Sequence, residues 1–306
     1  MAVITNTNLN QAQLLLFENN FERTVNQKDS KLANCPAIKY MDIKGISNIA
    51  RIDGDELTKV SGRNPDKVYS EFRVDNRKSL SERYTRTYIF DQMDKVVNFI
   101  ADPTADLFMN LKEAKNRAFD RLVCYAATAP IVIGAPDEAG TVVSAADDGV
   151  VFHDATGGFS YSSVISPAIT AFTNNYVVCS EGVTLVISAN EEEQLRNDEK
   201  YMNAFYSSAN TVDKGKITNA SGFNVVTFAG TKNGGVEIEN PVLAESEGKR
   251  TNLLLAPKSI GFAIEIGDLS INRIDSKVNS YGVTIDLYFK AVRTHGQKVQ
   301  AITSTL

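Results

Sequence analysis

Apolar positions recur at helical spacing over residues 102–128. Leu107, Phe108, Leu111, Ala114, Ala118, Phe119, Leu122 and Tyr125 mark one face, and Lys112, Glu113, Asn116, Arg117, Asp120 and Arg121 fill much of the rest. Asp102 can cap this helix, and Pro103 suits its first position. Glu113 and Arg117 stand four apart in the favourable order. At 1.5 Å per residue the helix is about 38 Å long, long enough to be a structural spine.

Elsewhere the pattern changes period. "GVTLVIS" is a continuous apolar run of the kind a fully buried strand needs, and the helical-looking "ANEEEQLRNDEKYM" follows it. "GFNVVTFAG" and "RTNLLLAPKSIGFAIEI" are further strands, and "SYGVTIDLYFKAVRTHGQKVQAIT" reads as two strands broken near His295-Gly296. Residues 129–165 are rich in Gly, Ala and Val and predict short strands and turns, and "ISPAITAFTNNY" predicts a short helix. Residues 1–36 are polar with sparse apolar positions; Leu14, Phe17 and Phe21 share one side of a short amphipathic helix. With no core starting there, they read as an arm that needs a partner surface. Residues 37–90 are dense in both charge signs, alternate weakly in "KVYSEFRV" and "ERYTRTYIF", and turn at Asp53-Gly54, Gly62 and Asn64-Pro65. A two-stranded excursion of this kind is marginal in water unless it lies on something else.

Composition adds bounds. The 306 residues are 43% hydrophobic and 23% charged, with a net charge of −5, ordinary for a globular chain. That charge disfavours a protein that grips nucleic acid through a basic face. Cys35, Cys124 and Cys179 form neither a disulfide framework nor a metal spacing, which suits a reducing cytosol. The opening "MAVITNTNLNQAQLLLFENNFERTV" lacks the basic start of a signal peptide, and no apolar run is long enough to cross a bilayer. The expectation is a chain made in a cytoplasm, without a membrane partner.

Candidate chemistry is sparse. His153 lies in a Gly-rich stretch with no G-x-S-x-G motif, and His295 reads as part of a turn between strands. Glu191, Glu192 and Glu193 are consecutive, so on a helix they point about 100° apart and cannot converge on one metal. Asn190 with Glu193 three residues on resembles a capping box, and acids in a first turn suit the helix dipole. "GTKNGG" and "GKITNASG" lack the Lys-Ser/Thr ending of a phosphate loop. No catalytic, cofactor-binding or metal-ligating residue is assigned.

The order of segments is more telling. Ser188 ends a strand and opens a helix containing Leu195 and Asp198; Gly215 and Ile217, then Gly222, Phe223 and Val225, follow; "APKSIGFA" and "HGQKV" come late. In this order the chain, from about residue 38 onward, resembles the major capsid proteins of tailed bacteriophages, the Hong Kong 97-type fold. Residues 131–165 are longer than that pattern needs and read as a small insertion.

The resemblance implies an α+β capsid fold with an N-terminal arm (1–36), an extended β-hairpin loop (37–90), a peripheral domain with the spine helix (91–130 and 267–293) and a mixed α/β axial domain (131–266 and 294–306). It implies a structural subunit, not an enzyme, that self-assembles into pentamers and hexamers around double-stranded DNA held without sequence-specific binding. The shell would form in the host cytoplasm with a portal and with scaffold or decoration proteins as further partners, and without a cofactor. Contacts between subunits are expected at Arg51, Arg63, Lys67, Arg73, Arg77, Lys78, Arg83, Arg86, Glu113 and Arg117. An encapsulin-like compartment shell is the alternative on the same fold, and a carboxylate enzyme built on Glu191–Glu193 is a weaker one.

Overall fold

The run Thr184–Ser188 (TLVIS) is buried at every position, so both faces of the sheet it belongs to are covered. The computed structural model describes residues 27–41, 47–52, 56–59, 61, 69, 71, 74–79, 81–91, 104–134, 139–177, 182–199, 212–213, 216–217, 219–220, 223–229, 242–274 and 280–305. In chain order the strands are β1 (Ile38–Tyr40), β2 (Ser47–Ile52), β3 (Val74–Ser79), β4 (Glu82–Asp91), β5 (Ile131–Ile133), β6 (Thr141–Val143), β7 (Val151–Asp154), β8 (Thr184–Ser188), β9 (Val212–Asp213), β10 (Lys216–Ile217), β11 (Asn219–Ala220), β12 (Phe223–Phe228), β13 (Glu245–Ser246), β14 (Lys249–Leu255), β15 (Ile260–Arg273), β16 (Ser280–Arg293) and β17 (Val299–Thr305). The helices are α1 (Thr104–Thr128), α2 (Ser166–Asn174), entered through a π-turn at Tyr161–Ile165, and α3 (Ala189–Arg196).

A seven-stranded sheet runs β11-β12-β8-β14-β17-β7, with β13 paired to β14. On one of its faces Leu185, Ile187, Phe223, Leu254 and Ile302 pack with Val164, Ile165, Ala168, Phe172 and Leu195 from the π-turn, α2 and α3. On the other, Val186, Leu253, Leu255, Val299 and Ala301 join the larger core around α1. The alternation of successive side chains between faces is why an uninterrupted apolar run was required here.

A four-stranded sheet runs β1-β15-β16-β4. Its two long strands, of 14 residues each, pair from Ile260–Arg293 to Arg273–Tyr281, with a register shift between Ile266 and Asp268. α1 lies on it, with Phe119 against Phe262 at 4.3 Å between ring centroids and Tyr84 edge-on to Phe289 at 5.3 Å. The expected spine helix is thus present over 104–128; its proposed cap, Asp102 and Pro103, lies outside the described residues. Two expectations about its faces need correction. Tyr125 points to solvent, whereas Glu113 and Asp120 are buried. For Asp120 the reason is a second cover on α1: residues 27–32 bond to it, and Leu32 and Ala37 are fully buried in the same core. A segment expected to be an arm without a core is therefore docked on its own chain from Gln27 onward; the amphipathic stretch around Leu14 lies outside the described residues.

A third sheet runs β2-β3-β5-β6. It joins the excursion to the segment after α1, since Arg77 and Lys78 pair with Ile133 and Val132. "ERYTRTYIF" does not pair within the excursion; as β4 it is the outer partner of β16 from Glu82 to Asp91. A pair of two-residue strands, β9 and β10, makes a separate antiparallel contact.

Candidate assembly surface

Three buried carboxylates fix the parts of the chain that meet near its surfaces. The first is Asp120 on α1. It accepts hydrogen bonds from Gln27 Nε2 (2.5 Å), Ser30 Oγ (2.5 Å), Lys31 N (3.0 Å) and Leu32 N (3.2 Å). Arg117 and Asn116 hold the carbonyls of Gln27 and Lys28 from the same side. A carboxylate accepting several N–H and O–H donors tolerates burial that an isolated one does not. This clamp holds residues 27–32 on α1.

The second is Asp148. Its Oδ1 accepts from Arg77 Nη2 (2.5 Å), and its Oδ2 from Arg77 Nη1 (2.9 Å) and Arg293 Nε (2.7 Å). Arg293 Nη1 also donates to the carbonyls of Ala127 (2.8 Å) and Ala129 (3.0 Å) at the end of α1, where the helix dipole is negative. Burial pulls the Arg293 guanidinium below its usual value, and Asp148 opposes that shift. Gly296 lies against this turn so closely that a Cβ would fall 2.0 Å from the Asp148 carbonyl oxygen. Three elements far apart in sequence, β3, the end of α1 and the end of β16, are thus tied to one carboxylate.

The third is Glu191, at the entry of α3. The helix is capped by Ser188, whose Oγ accepts from Asn190 N, not by the expected Asn190. Glu191 and Glu192 are buried, not solvated. Ser188 Oγ and Ser304 Oγ donate to Glu191, with Arg250 Nη1 at 3.5 Å. Arg250 also donates to Ser188 (2.7 Å) and to Glu245 (2.7 Å). Burial on its own would raise the Glu191 carboxyl, but the two hydroxyls and Arg250 outweigh it and hold the group below the ordinary glutamate value. The glutamate run is therefore a structural node joining β8, β14 and β17. The second carboxylate of the node, Glu245, is engaged by the same guanidinium.

The expected contact residues separate into groups. Arg63, Lys67 and Arg73 lie outside the described residues, and Arg51 stands on β2 opposite Asp75. Arg77 and Glu113 are buried within the single chain, and Arg117 is engaged by Gln27. Lys78 is half-buried beside a cavity of about 310 Å³ between β3, the end of α1 and β16. Arg83 and Arg86 are both exposed on β4 but, three residues apart, point to opposite faces of the sheet. Arg83 pairs with Asp286 (2.7–3.1 Å), which raises its own pKa and lowers that of Asp286, and Arg86 covers the Tyr88 ring at 5.7 Å. Burial, reinforced by the bond to Glu82, pushes the Tyr84 phenol up to about 12. Most described positions of β4 from Glu82 to Ile89 are exposed. β4 is also the terminal strand of its sheet.

Other candidates are structural. His153 lies on β7, where its Nε2 meets Gln300 Oε1 at 2.8 Å; the Gln300 amide donates to Ala168 O, so the imidazole Nε2 is the donor. His295 precedes the short turn between β16 and β17. Burial raises the thiols of Cys35 and Cys124. Among the described residues no group of three His, Cys, Asp or Glu could hold a metal, and no helix is long and apolar enough to cross a membrane.

A sequence profile of the family described as Phage capsid protein matches residues 9–305. The chain belongs to this phage capsid protein family and is a subunit of a capsid shell. No curated protein matches it by sequence. Its fold is similar to that of solved phage capsids. The capsid of Helicobacter pylori bacteriophage KHP30 matches with a TM-score of 0.68 and 9% identity, covering 94% of each chain. That of cyanophage P-SCSP1u matches with 0.66 and 8%, covering 94% of this chain and 91% of the other. That of Ralstonia phage GP4 matches with 0.60 and 11%, covering 94% of each. The fold is that of phage major capsid proteins of mixed α/β content. The shell it forms contains many copies, and its place is the virion capsid.

Proposed function

We propose that the subunit follows the Hong Kong 97-type plan: an N-terminal arm over 1–36, an extended loop over 37–90, a peripheral domain with α1 over 91–130 and 267–293, and an axial domain over 131–266 and 294–306. Pentamers and hexamers of this chain close into a shell around double-stranded DNA, assembled in the host cytoplasm with a portal and with scaffold or decoration proteins. The chain is structural and has no catalytic role.

The observation that carries this reading is the rooting of the β2–β3 ribbon. Arg77 and Ser79 anchor its base in the chain's own core, while the rest of the excursion is rich in charge and poor in bulky apolar residues. An excursion of that composition is stable when it lies on a neighbour. Arg51, Arg63, Lys67, Arg73, Lys78, Arg83 and Arg86 then supply contacts between copies, and Arg77, Glu113 and Arg117 hold the elements that present them. A net charge of −5 suits enclosure of DNA without adhesion. The match to a phage capsid family favours this shell over a cargo compartment.

The test is to shorten the excursion without touching its root. Ile52 and Val74 are paired across the ribbon, so residues 53–73 can be replaced by Asn-Gly, which suits a two-residue hairpin turn. The shortened chain should fold with an unchanged far-ultraviolet spectrum and fail to close shells. Closed shells of normal stability from this variant would overturn the proposed role.

A further inference from the structure

We infer that the outer face of α2, ending in Tyr176, is a contact surface for a second copy of this chain.

The first observation is a strained, exposed aromatic. Tyr176 follows α2 with φ +57° and is 95% exposed. Tyr176 N donates to Thr173 O and Val177 N to Phe172 O, so the helix ends in a Schellman motif with Tyr176 at its left-handed position. Glycine fits that position without penalty, and a bulky aromatic there is an outlier. The ring gains nothing inside the chain to offset the strain. Strain of this kind persists where it serves a function.

The second observation is independent of it. Residues 155–180 contain no Lys, Arg, Asp or Glu, in a chain that is 23% charged. Part of that tract is core, but its surface is uncharged too. Ser166, Thr170, Thr173 and Asn174 are exposed, and their spacing makes one stripe along α2 that leads to Tyr176. Thr170 Oγ1 donates to Ser166 O (3.1 Å) and Thr173 Oγ1 to Ile169 O (2.8 Å). Two hydroxyl donors of the stripe are thus spent on their own helix, which lowers the cost of taking the face out of water.

Loss of charge together with an exposed tyrosine is the composition of an interface centre. The charge pattern also names the occupant. Copies of a chain with net charge −5 repel one another, and a face without charge is where they approach at least cost. A partner of opposite charge would instead be met by an acidic face.

This inference rests on the shell-subunit reading, and its test separates the two. Tyr176→Gly removes the ring and suits the backbone; Thr170→Glu puts a charge into the stripe. In the unassembled chain neither variant should lower Tm. In cells producing the protein, each should reduce the yield of particles at least about tenfold. Hydroxyl-radical labelling of Tyr176 in the wild-type chain should fall on assembly by at least about fivefold. Variant particles at wild-type yield, equal labelling of Tyr176 in free chain and particle, or a lowered Tm for Tyr176→Gly would each overturn the inference and leave the shell reading standing. A wild-type chain that forms no particles would overturn both.

Discussion

The two larger sheets use their strands in opposite ways. The seven-stranded sheet is covered on both faces, and its shortest central strand is buried from Thr184 to Ser188. The four-stranded sheet has two strands of 14 residues each, yet is covered mainly by α1, and its outer strand β4 is exposed over most of its described positions. The first sheet holds the subunit together. The second presents an exposed outer strand. A shell subunit needs both, because contacts between copies must be made by a body that is already folded.

Their buried ion clusters differ in the same sense. At the central sheet two carboxylates, Glu191 and Glu245, share Arg250. At the junction with the excursion one carboxylate, Asp148, serves two arginines, and Arg77 Nε and Arg293 Nη2 are buried with no hydrogen-bond partner. The junction should therefore be the more fragile. Asp148→Ala leaves two buried guanidinium groups without a counter-charge and should cost about 3–5 kcal/mol, read as a lowered urea midpoint. A loss below about 1 kcal/mol would mean that the junction does not hold the ribbon.

Asp120→Ala should come next. It strips four donors near Leu32 and should cost about 2–3 kcal/mol, with residues 27–33 becoming cleavable by protease while α1 stays protected. If cleavage there is unchanged, Asp120 is not the clamp.

The smallest effect depends on pH. Glu191 is held below its usual value, so its contribution is full above the unfolded glutamate value near 4.5 and is lost as pH falls through the lower folded value. Urea stability of the wild-type chain should decline on that acid limb. Glu191→Gln should start lower and decline less. Parallel limbs would remove Glu191 from the account.

The sequence showed the elements more readily than their connections. Leu185, Val186 and Ile187 announce a strand buried on both faces, and the spacing from Leu107 to Phe119 announces α1, because those signals are local. Asp120, Asp148 and Glu191 were not legible as buried. Asp120 looks like any charge on a helix until Gln27, 93 residues earlier, is placed on it. Asp148 needs Arg77 and Arg293, which lie 71 and 145 residues away. Tyr125 was misplaced because the buried face of α1 runs through Phe119, Val123, Ala126 and Ala127, turned away from it. Glu191 did leave a local trace: Ser188-x-x-Glu191 is itself a capping-box spacing, set two residues before the Asn190 frame.

The central claim is that the excursion belongs to a neighbour at its far end and to its own chain at its root. A reconstruction of particles by electron cryomicroscopy tests it directly. Density for residues 53–73 should lie across an adjacent copy while Arg77 stays on Asp148 of its own chain. Density that folds the whole of 47–79 back onto its own subunit would contradict the account.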